Sequence, residues 1–185
     1  MQRRAFIGHF TTFLVVPNCL LTGTAVAASN TSPSHTQNIN INYLPSDHMD
    51  HQARKEVVKR FNKEVIEEGN RASFEALMDT RFINHSAPRG TANDAEGMWN
   101  TFQHILRPAL SDLQVQIHDQ LCECEKVTTR KSITGKHTGT LLGIAATGKS
   151  ISIDVIDIVH VQNGRYLEHW GINTLSAVLT QLRAD

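Results

Sequence analysis

One aspartate near the carboxyl end of this 185-residue chain stands in a strand pattern that is otherwise apolar. Asp157 lies within residues 151–161, ISIDVIDIVHV, and alternates in phase with Val155 and Val159. A strand places such residues on one face, where an ionised carboxylate without a partner is costly to bury. The group then has either a partner or a shifted pKa, and both suit a general acid or base. The alternative is a strand-end carboxylate paired with an exposed Lys or Arg.

A histidine on the next predicted strand is the first candidate partner. Residues 165–171, RYLEHWG, follow an Asn-Gly turn signal that predicts an antiparallel hairpin with the strand of Asp157. A two-residue loop would set Asp157 opposite Trp170, whereas a three-residue loop with a bulge at Gly164 would set it opposite His169. We favour the second register because it keeps His169 on the apolar face. Asp157 and His169 would then form an acid/base pair, with Trp170 as an aromatic wall of the same cavity.

The elements that position these residues follow from the apolar periodicity. Residues 50–68 repeat at helical spacing up to Gly69, and Asn70 can cap a short second helix. A capping-box signature at Asn93 begins a third helix, which must stop near Pro108. Period-two alternation predicts the strands 113–117, 127–134, 151–161 and 166–172, and a last helix covers 175–182. Helices followed by a run of strands indicate an α+β domain with the helices on one face of a curved sheet.

Two segments of the chain resemble a known protein family. The loop GKHTGTLLGIAATGK, residues 135–149, and the strand of residues 165–171 are similar to those of the SnoaL-like polyketide cyclase and ester cyclase family. The resemblance extends from Glu56 to Leu182. It implies the cone-shaped fold of ketosteroid isomerase and nuclear transport factor 2, a cystatin-like α+β barrel whose curved antiparallel sheet carries the N-terminal helices over its concave face. It also implies a pocket for a small hydrophobic molecule and a reaction without cofactor or metal.

The chain departs from the family at the residue that would do the chemistry. The family's aldol-type cyclases have an acid/base Asp directly after the Trp of an EHWD motif, assisted by a His on the preceding strand. This chain has Gly171 at that position and Asp157 on the preceding strand. Either the carboxylate has moved one strand over, or the chain has lost the reaction and kept the pocket. The two hypotheses are therefore a cofactor-free cyclase, isomerase or hydrolase, and a non-catalytic module that binds a ligand or dimerises.

The resemblance also indicates which other residues reach the interior. His85 follows an extended segment that leads into the mouth of the cavity in this fold, so it joins Asp157 and His169 as a catalytic candidate. Arg130 would pair with Asp157 if its strand turned it inward, as in limonene-epoxide-hydrolase-type pockets of this fold. The residues expected to contact substrate are Arg130, His137, Trp170, Trp99, Phe61 and Met98, the last three as core or cavity wall more than as specific ligands.

Residues 1–27 have the layout of a secretory signal peptide, with two arginines before an apolar run and a small-x-small cleavage signal at residues 25–27. Pro17 interrupts the run, which argues against a membrane-spanning helix. The two arginines fit either an ordinary or a twin-arginine signal. Residues 28–48 then form a linker, and residues 49–185 form the family domain. We expect a periplasmic or secreted protein that is not attached to a membrane after cleavage.

The charge balance and the apolar residues of the chain indicate which kinds of partner it can bind. The whole chain has 18 basic and 18 acidic side chains, and cleavage after residue 27 removes two arginines, which leaves 16 basic ones. This near-neutral balance argues against a nucleic-acid partner, which needs a basic face. A homodimer through the outer face of the sheet is predicted from its apolar residues, which are Ile156, Ile158, Trp170 and Ile172.

Two cysteines remain after cleavage, and we expect both to be free thiols. Cys122 and Cys124 are two residues apart in an extended chain, at the limit of the distance that a disulfide can bridge. A metal site at this pair lacks further ligands at suitable spacing.

Overall fold

The computed structural model describes residues 50–184. The signal peptide and linker expected for residues 1–48 lie outside this range, so both stay predictions. Within residues 50–184, no helix is both long enough and apolar enough to cross a membrane.

Four helical stretches precede or follow the strands in this part of the chain. They are α1, His51–Arg60 continued in wider turns by Phe61–Glu67; α2, Arg71–Leu77; α3, Ala95–Asn100 continued by Thr101–Leu106 and Arg107–Ala109; and α4, Leu175–Ala184. The predicted first and last helices are confirmed to within a few residues.

The helix ends follow local side-chain chemistry. Gly69 adopts φ +70° after α1, in the left-handed region that glycine enters without steric cost. Asn70 caps α2 as predicted, because its Oδ1 accepts a hydrogen bond of 3.1 Å from the third backbone N–H of the helix. At α3 the capping side chain is that of Asp94, so the prediction of Asn93 is wrong by one residue. The same helix ends within a residue of Pro108, as predicted.

Five strands form one sheet. They are β1, Met78–Asn84; β2, Leu110–Glu123; β3, Lys126–His137; β4, Ser150–Gln162; and β5, Arg165–Asn173, in the spatial order β1-β5-β4-β3-β2. The predicted α+β class with a curved sheet is confirmed. The four long strands pair antiparallel, and β1 adds a parallel edge strand beside β5. The sequence indicated β1 only as an extended segment, because an edge strand with one neighbour shows little period-two alternation.

The interior lies between the helices and one face of the sheet. On β4 the side chains of Asp157, Val159 and Val161 are buried on this face, whereas Ile156 and Ile158 are exposed on the other. The odd-numbered face of β4 is therefore the inward one, as the alternation predicts.

Aromatic side chains connect the helices to the sheet. The ring of Phe61 on α1 stacks on Tyr166 of β5 with 4.3 Å between centroids, and Phe74 of α2 packs against Trp99 of α3 at 5.1 Å. Phe61, Met98 and Trp99 are all buried. Burying each side chain of this size contributes roughly 1.5–3 kcal/mol. The structure thus places these three predicted wall residues in the hydrophobic core.

The β2–β3 hairpin turns just after Cys122, and the next cysteine, Cys124, lies in the turn with φ +52°. Both are free thiols, as predicted. Burial raises the pKa of the Cys122 thiol, so this group is less reactive than an exposed cysteine.

Candidate active site

The register of the β4–β5 hairpin differs from both predicted alternatives. The loop has two residues, and both adopt positive φ, +50° at Asn163 and +74° at Gly164, which is the conformation of a type I′ turn. A bulge at Leu167 then adds one residue to β5, so Asp157 pairs with Gly171. The turn sequence predicted the loop, but no local signal marks a bulge within the strand.

This register decides which side chains of β5 enter the interior. Val159 lies opposite His169 and Asp157 lies opposite Gly171, so His169 and Gly171 face inward beside Asp157. That orientation confirms the predicted neighbourhood. Trp170 lies opposite the exposed Ile158 and faces outward. Its predicted place in the wall of the interior is therefore wrong, and it lies instead on the outer face, to which the dimer prediction assigned it.

His85 does not join the interior either. Its ring stacks on Trp170 at 4.6 Å between centroids with an angle of 6°, and its Nε2 lies 3.1 Å from Glu168 Oε1. The side chain is about one-third exposed, at 35%. Because β1 runs parallel to β5 at the sheet edge, residue 85 follows the outward-facing neighbours of β5 instead of turning into the mouth. The expectation that His85 reaches Asp157 is therefore corrected.

The partner of Asp157 is a lysine that the sequence reasoning missed. Lys131 Nζ lies 2.7 Å from Asp157 Oδ2, and each of the two side chains is 5% exposed. The same ammonium donates to Asn62 Oδ1 at 2.7 Å, and Asn62 Nδ2 donates to the carbonyl of Val58 at 2.8 Å. Asn62 belongs to α1, so this hydrogen bond ties the helix to the inward face of the sheet.

Arg130, the partner that the family comparison suggested, lies on the outer face. Its Nη2 is 2.6 Å from Asp119 Oδ2, and its side chain is 56% exposed. The inward phase of β3 contains the buried residues Val127, Thr129 and Lys131. Strict period-two alternation from Val127 would therefore have predicted that Lys131 faces inward and that Arg130 faces outward.

The ion pair determines the charge of Asp157. Burial raises the pKa of this carboxyl, but the Lys131 ammonium and the His169 ring outweigh burial and hold the pKa below its usual range. The group is therefore a carboxylate at neutral pH. Its Oδ1 is buried and has no hydrogen-bond partner among the described residues. Burial together with the Asp157 charge raises the pKa of Tyr166 well above its usual value, so this phenol stays neutral.

His169 completes the polar centre. Its Nε2 lies 3.8 Å from Asp157 Oδ2, and its Nδ1 lies 2.9 Å from Asn84 Oδ1. The His169 side chain is 16% exposed, against 5% for Asp157 and for Lys131. It is thus the member of the centre that solvent, or a small molecule, reaches most easily.

The absence of a side chain at Gly171 makes room for this ring. A Cβ built on Gly171 would lie 3.0 Å from His169 Cε1, 3.1 Å from His169 Nε2 and 3.5 Å from the Cβ of Asp157. The imidazole therefore occupies the space that a side chain at residue 171 would need. A side chain at residue 171 would therefore require the His169 ring to shift by a few tenths of an ångström.

The remaining predicted contact residue, His137, ends β3 inside the protein. It is fully buried, and its Nδ1 lies 3.0 Å from Thr147 Oγ1. It is therefore not exposed to a substrate as predicted, because the loop after β3 folds back and hydrogen-bonds to it, with the amide of Gly148 donating to the carbonyl of His137 at 2.8 Å. Within residues 50–184, no three His, Cys, Asp or Glu side chains converge as metal ligands would.

Comparison with known proteins agrees with this architecture. The family model of the SnoaL-like polyketide cyclases matches residues 56–182. No curated protein sequence matches the chain.

Several solved structures share the fold. TsrD from Streptomyces laurentii superposes with a TM-score of 0.65 at 22% identity, over 73% of this chain and 98% of that one. A candidate polyketide cyclase from Bacillus cereus gives 0.61 at 26% identity, over 70% and 80%. IdmH, a candidate polyketide cyclase from Streptomyces antibioticus, gives 0.62 at 23% identity, over 70% and 97%. Since the family model covers more than half of the residues, the chain belongs to the SnoaL-like polyketide cyclase family.

Proposed function

We propose that this protein catalyses cofactor-independent acid/base chemistry on a small, largely apolar molecule, at the pair Asp157 and His169. The observation that carries the proposal is the buried ion pair of Lys131 and Asp157, with His169 beside it on the inward face of the sheet. Buried ionisable groups are costly unless paired, and they concentrate at functional sites. The cyclase-like activity of the family supports the same reaction class.

The three side chains have different roles in this proposal. Lys131 keeps Asp157 ionised, and the Asp157 carboxylate stabilises the positive charge that His169 acquires when it accepts a proton. His169 exchanges the proton with the substrate, because it is the most exposed of the three. Positioned acid/base catalysis of this kind accelerates a reaction by about 10²- to 10⁴-fold.

A second candidate function is a non-catalytic module of the same fold that binds a ligand. Two observations favour it: Lys131 already balances the charge of Asp157, and Gly171 replaces the residue that carries the acid/base group in the family's aldol-type cyclases. In that case the ion pair would serve only to orient α1 on the sheet through Asn62.

Deuterium exchange separates the two functions. Wild type and His169→Gln would be incubated in D₂O with small apolar ketones such as 1-tetralone, and loss of the α-proton signal would be followed by NMR. We expect wild type to exceed the uncatalysed rate and His169→Gln to lose about 10²-fold or more of that excess. Equal rates for wild type and variant across the ketones, with saturable binding retained, would reject catalysis and favour the ligand-binding module.

We further propose that the mature domain is periplasmic or secreted and forms a homodimer that binds neither nucleic acid nor membrane. The signal-peptide pattern of residues 1–27 supports export. The exposed isoleucines of the outer sheet face support dimerisation.

A further inference from the structure

We infer that Asn84 is a positioning residue, held by Ser86, that fixes the neutral imidazole of His169 with its proton on Nδ1 and leaves Nε2 free to accept a proton. The catalytic meaning of this arrangement rests on the proposed function, whereas the tautomer itself does not. Asn84 is the last residue of β1, an element that neither the sequence motif nor the family resemblance connects with the reaction.

A backbone contact fixes the orientation of the Asn84 amide. The backbone N–H of Ser86 lies 3.0 Å from Asn84 Oδ1. A backbone N–H can only donate, so the atom facing it must be the amide oxygen and not the NH₂ group. This contact removes the ambiguity that otherwise attends asparagine side chains.

The oriented amide determines the tautomer of the His169 ring. His169 Nδ1 lies 2.9 Å from the same Asn84 Oδ1, and an amide oxygen can only accept. The hydrogen of a neutral imidazole must therefore be on Nδ1. Since the neutral ring carries only one such hydrogen, Nε2 has a free lone pair.

The other ring nitrogen of His169, Nε2, lies beside Asp157. This nitrogen faces Asp157 Oδ2 at 3.8 Å, which is longer than a hydrogen bond. Neither atom has a hydrogen to donate while the ring is neutral. When Nε2 accepts a proton, the new N–H points towards the carboxylate. The side of His169 that can act as a base is therefore the side that faces Asp157.

Backbone contacts hold the ring in this position. The N–H of His85 donates to the carbonyl of His169 at 2.9 Å, and the N–H of Gly171 donates to Ser86 Oγ at 2.7 Å. Asn84 is itself anchored, because its N–H donates to the carbonyl of Asn93 at 2.7 Å. Residues 84–86 thus contact β5 on both sides of the imidazole, and a ring flip would break the bond to Asn84.

NMR of uniformly ¹⁵N-labelled mature protein tests the tautomer directly. Long-range proton–nitrogen spectra at alkaline pH, where the ring is neutral, distinguish a protonated from an unprotonated ring nitrogen. The His169 signals are assigned by their loss in His169→Gln. We expect the Nδ1–H tautomer in wild type, and a shift towards Nε2–H in Asn84→Leu, which lacks the acceptor.

Ser86→Ala is the matched control. It removes the hydroxyl that accepts from Gly171 but keeps the backbone N–H that orients Asn84, so the Nδ1–H tautomer should persist. Asn84→Asp keeps an acceptor and should also retain it, whereas Asn84→Ala removes the acceptor with a smaller side chain and replaces Asn84→Leu if that variant does not fold. Predominant Nε2–H in wild type would overturn the inference.

The outcomes for the tautomer and for the activity are separable. If the reaction occurs at His169, Asn84→Leu should lower kcat by about 10²-fold with a smaller change in KM, because the wrong nitrogen is then protonated. If wild type has the Nδ1–H tautomer but His169→Gln keeps full exchange activity, the proposed function fails and the positioning by Asn84 stands.

Discussion

The ammonium of Lys131 and the carboxylate of Asp157 lie 2.7 Å apart inside the protein, each on a side chain that is 5% exposed. This pairing changes the chemistry available to Asp157. A buried carboxyl without a partner would have a raised pKa and could act as a general acid, whereas this one is held as an anion. His169 is then the better candidate for the group that exchanges protons with the substrate, and Asp157 supports it as a neighbouring carboxylate.

Removing one member of the ion pair should destabilise the fold strongly. Lys131→Met leaves a buried carboxylate without its cation, and we expect the free energy of unfolding to fall by about 3–5 kcal/mol. Urea denaturation of wild type and variant at neutral pH measures this change. An effect within about 0.5 kcal/mol would show that the pair is not buried as described.

Removing both charges should cost less than the sum of the two single changes. Lys131→Met combined with Asp157→Asn leaves no uncompensated charge, so the double variant should recover part of the stability lost by either single variant. If catalysis occurs at this centre, the recovered fold will still lack exchange activity. A double variant that is stable and fully active would show that the Lys131–Asp157 pair stabilises the fold and has no part in catalysis.

A side chain at Gly171 should displace the His169 ring. The Cβ of Gly171→Ala would meet the ring at 3.0 Å, and we expect a loss of about 1–3 kcal/mol of stability from overpacking. Gly171→Asp restores the residue type of the family's EHWD motif, but it adds a second carboxylate beside Asp157 and should destabilise more than the alanine. Parallel urea denaturation curves compare the two, and equal stability of both variants with wild type would contradict the ring position.

Acid should destabilise the protein through carboxylates whose pKa is lowered by folding. Hydrogen bonds from His160 and then His85 lower the pKa of Glu168, and His160 also lowers that of Glu125. In the folded state both pKa values lie below the ordinary 4.5. The stabilisation is therefore complete above pH 4.5. It is lost as the pH falls below that value, because the unfolded chain then binds protons that the folded protein does not. His160→Gln removes the largest cause of both shifts.

The measurement is the midpoint of urea denaturation between pH 6 and pH 2.5 for wild type and His160→Gln. Wild type should lose stability in the acid part of this range, and the variant should show a shallower dependence because Glu125 and Glu168 have lost a shared partner. Identical slopes for the two proteins would contradict the prediction.

The outer face of the sheet should form a homodimer. Ile156, Ile158 and Ile172 are 45%, 37% and 71% exposed, a patch that water solvates poorly. Light scattering of the mature domain at micromolar concentration should give twice the monomer mass, and Ile158→Glu should give the monomer. A monomeric wild type would refute the prediction. Ile105→Glu, a change on α3 at a residue that is 37% exposed and not on the sheet, is the control for a general effect of added charge.

Export can be tested with the full chain. The protein recovered outside the cytoplasm of a bacterial host should begin after Ala27, as read by N-terminal sequencing. Replacing Arg3 and Arg4 with lysines should abolish export by a twin-arginine route and leave an ordinary secretory route intact. Retention of residues 1–27 on the exported protein would contradict the signal-peptide prediction.

The sequence by itself was sufficient for the class of fold and for the inward face of β4. Alternation around Asp157, the Asn163-Gly164 turn and the helical periodicity before Gly69 are local patterns, and each element follows from neighbours in the chain. The same alternation put Asp157, His169 and Gly171 on the inner side, which the structure confirms. Asn70, a helix cap whose hydrogen bond spans three residues, was predictable for the same reason.

Only the tertiary structure decided which residues meet. The bulge at Leu167 set Gly171, and not His169 or Trp170, opposite Asp157, and a bulge depends on how two strands fit together, not on the turn that joins them. The parallel pairing of β1 carried His85 to the outer face. Lys131 and Asp157 lie on the adjacent strands β3 and β4, and their contact depends on the register between these strands. Local patterns specify elements and their faces, whereas the chemistry of this site depends on register between elements distant in sequence.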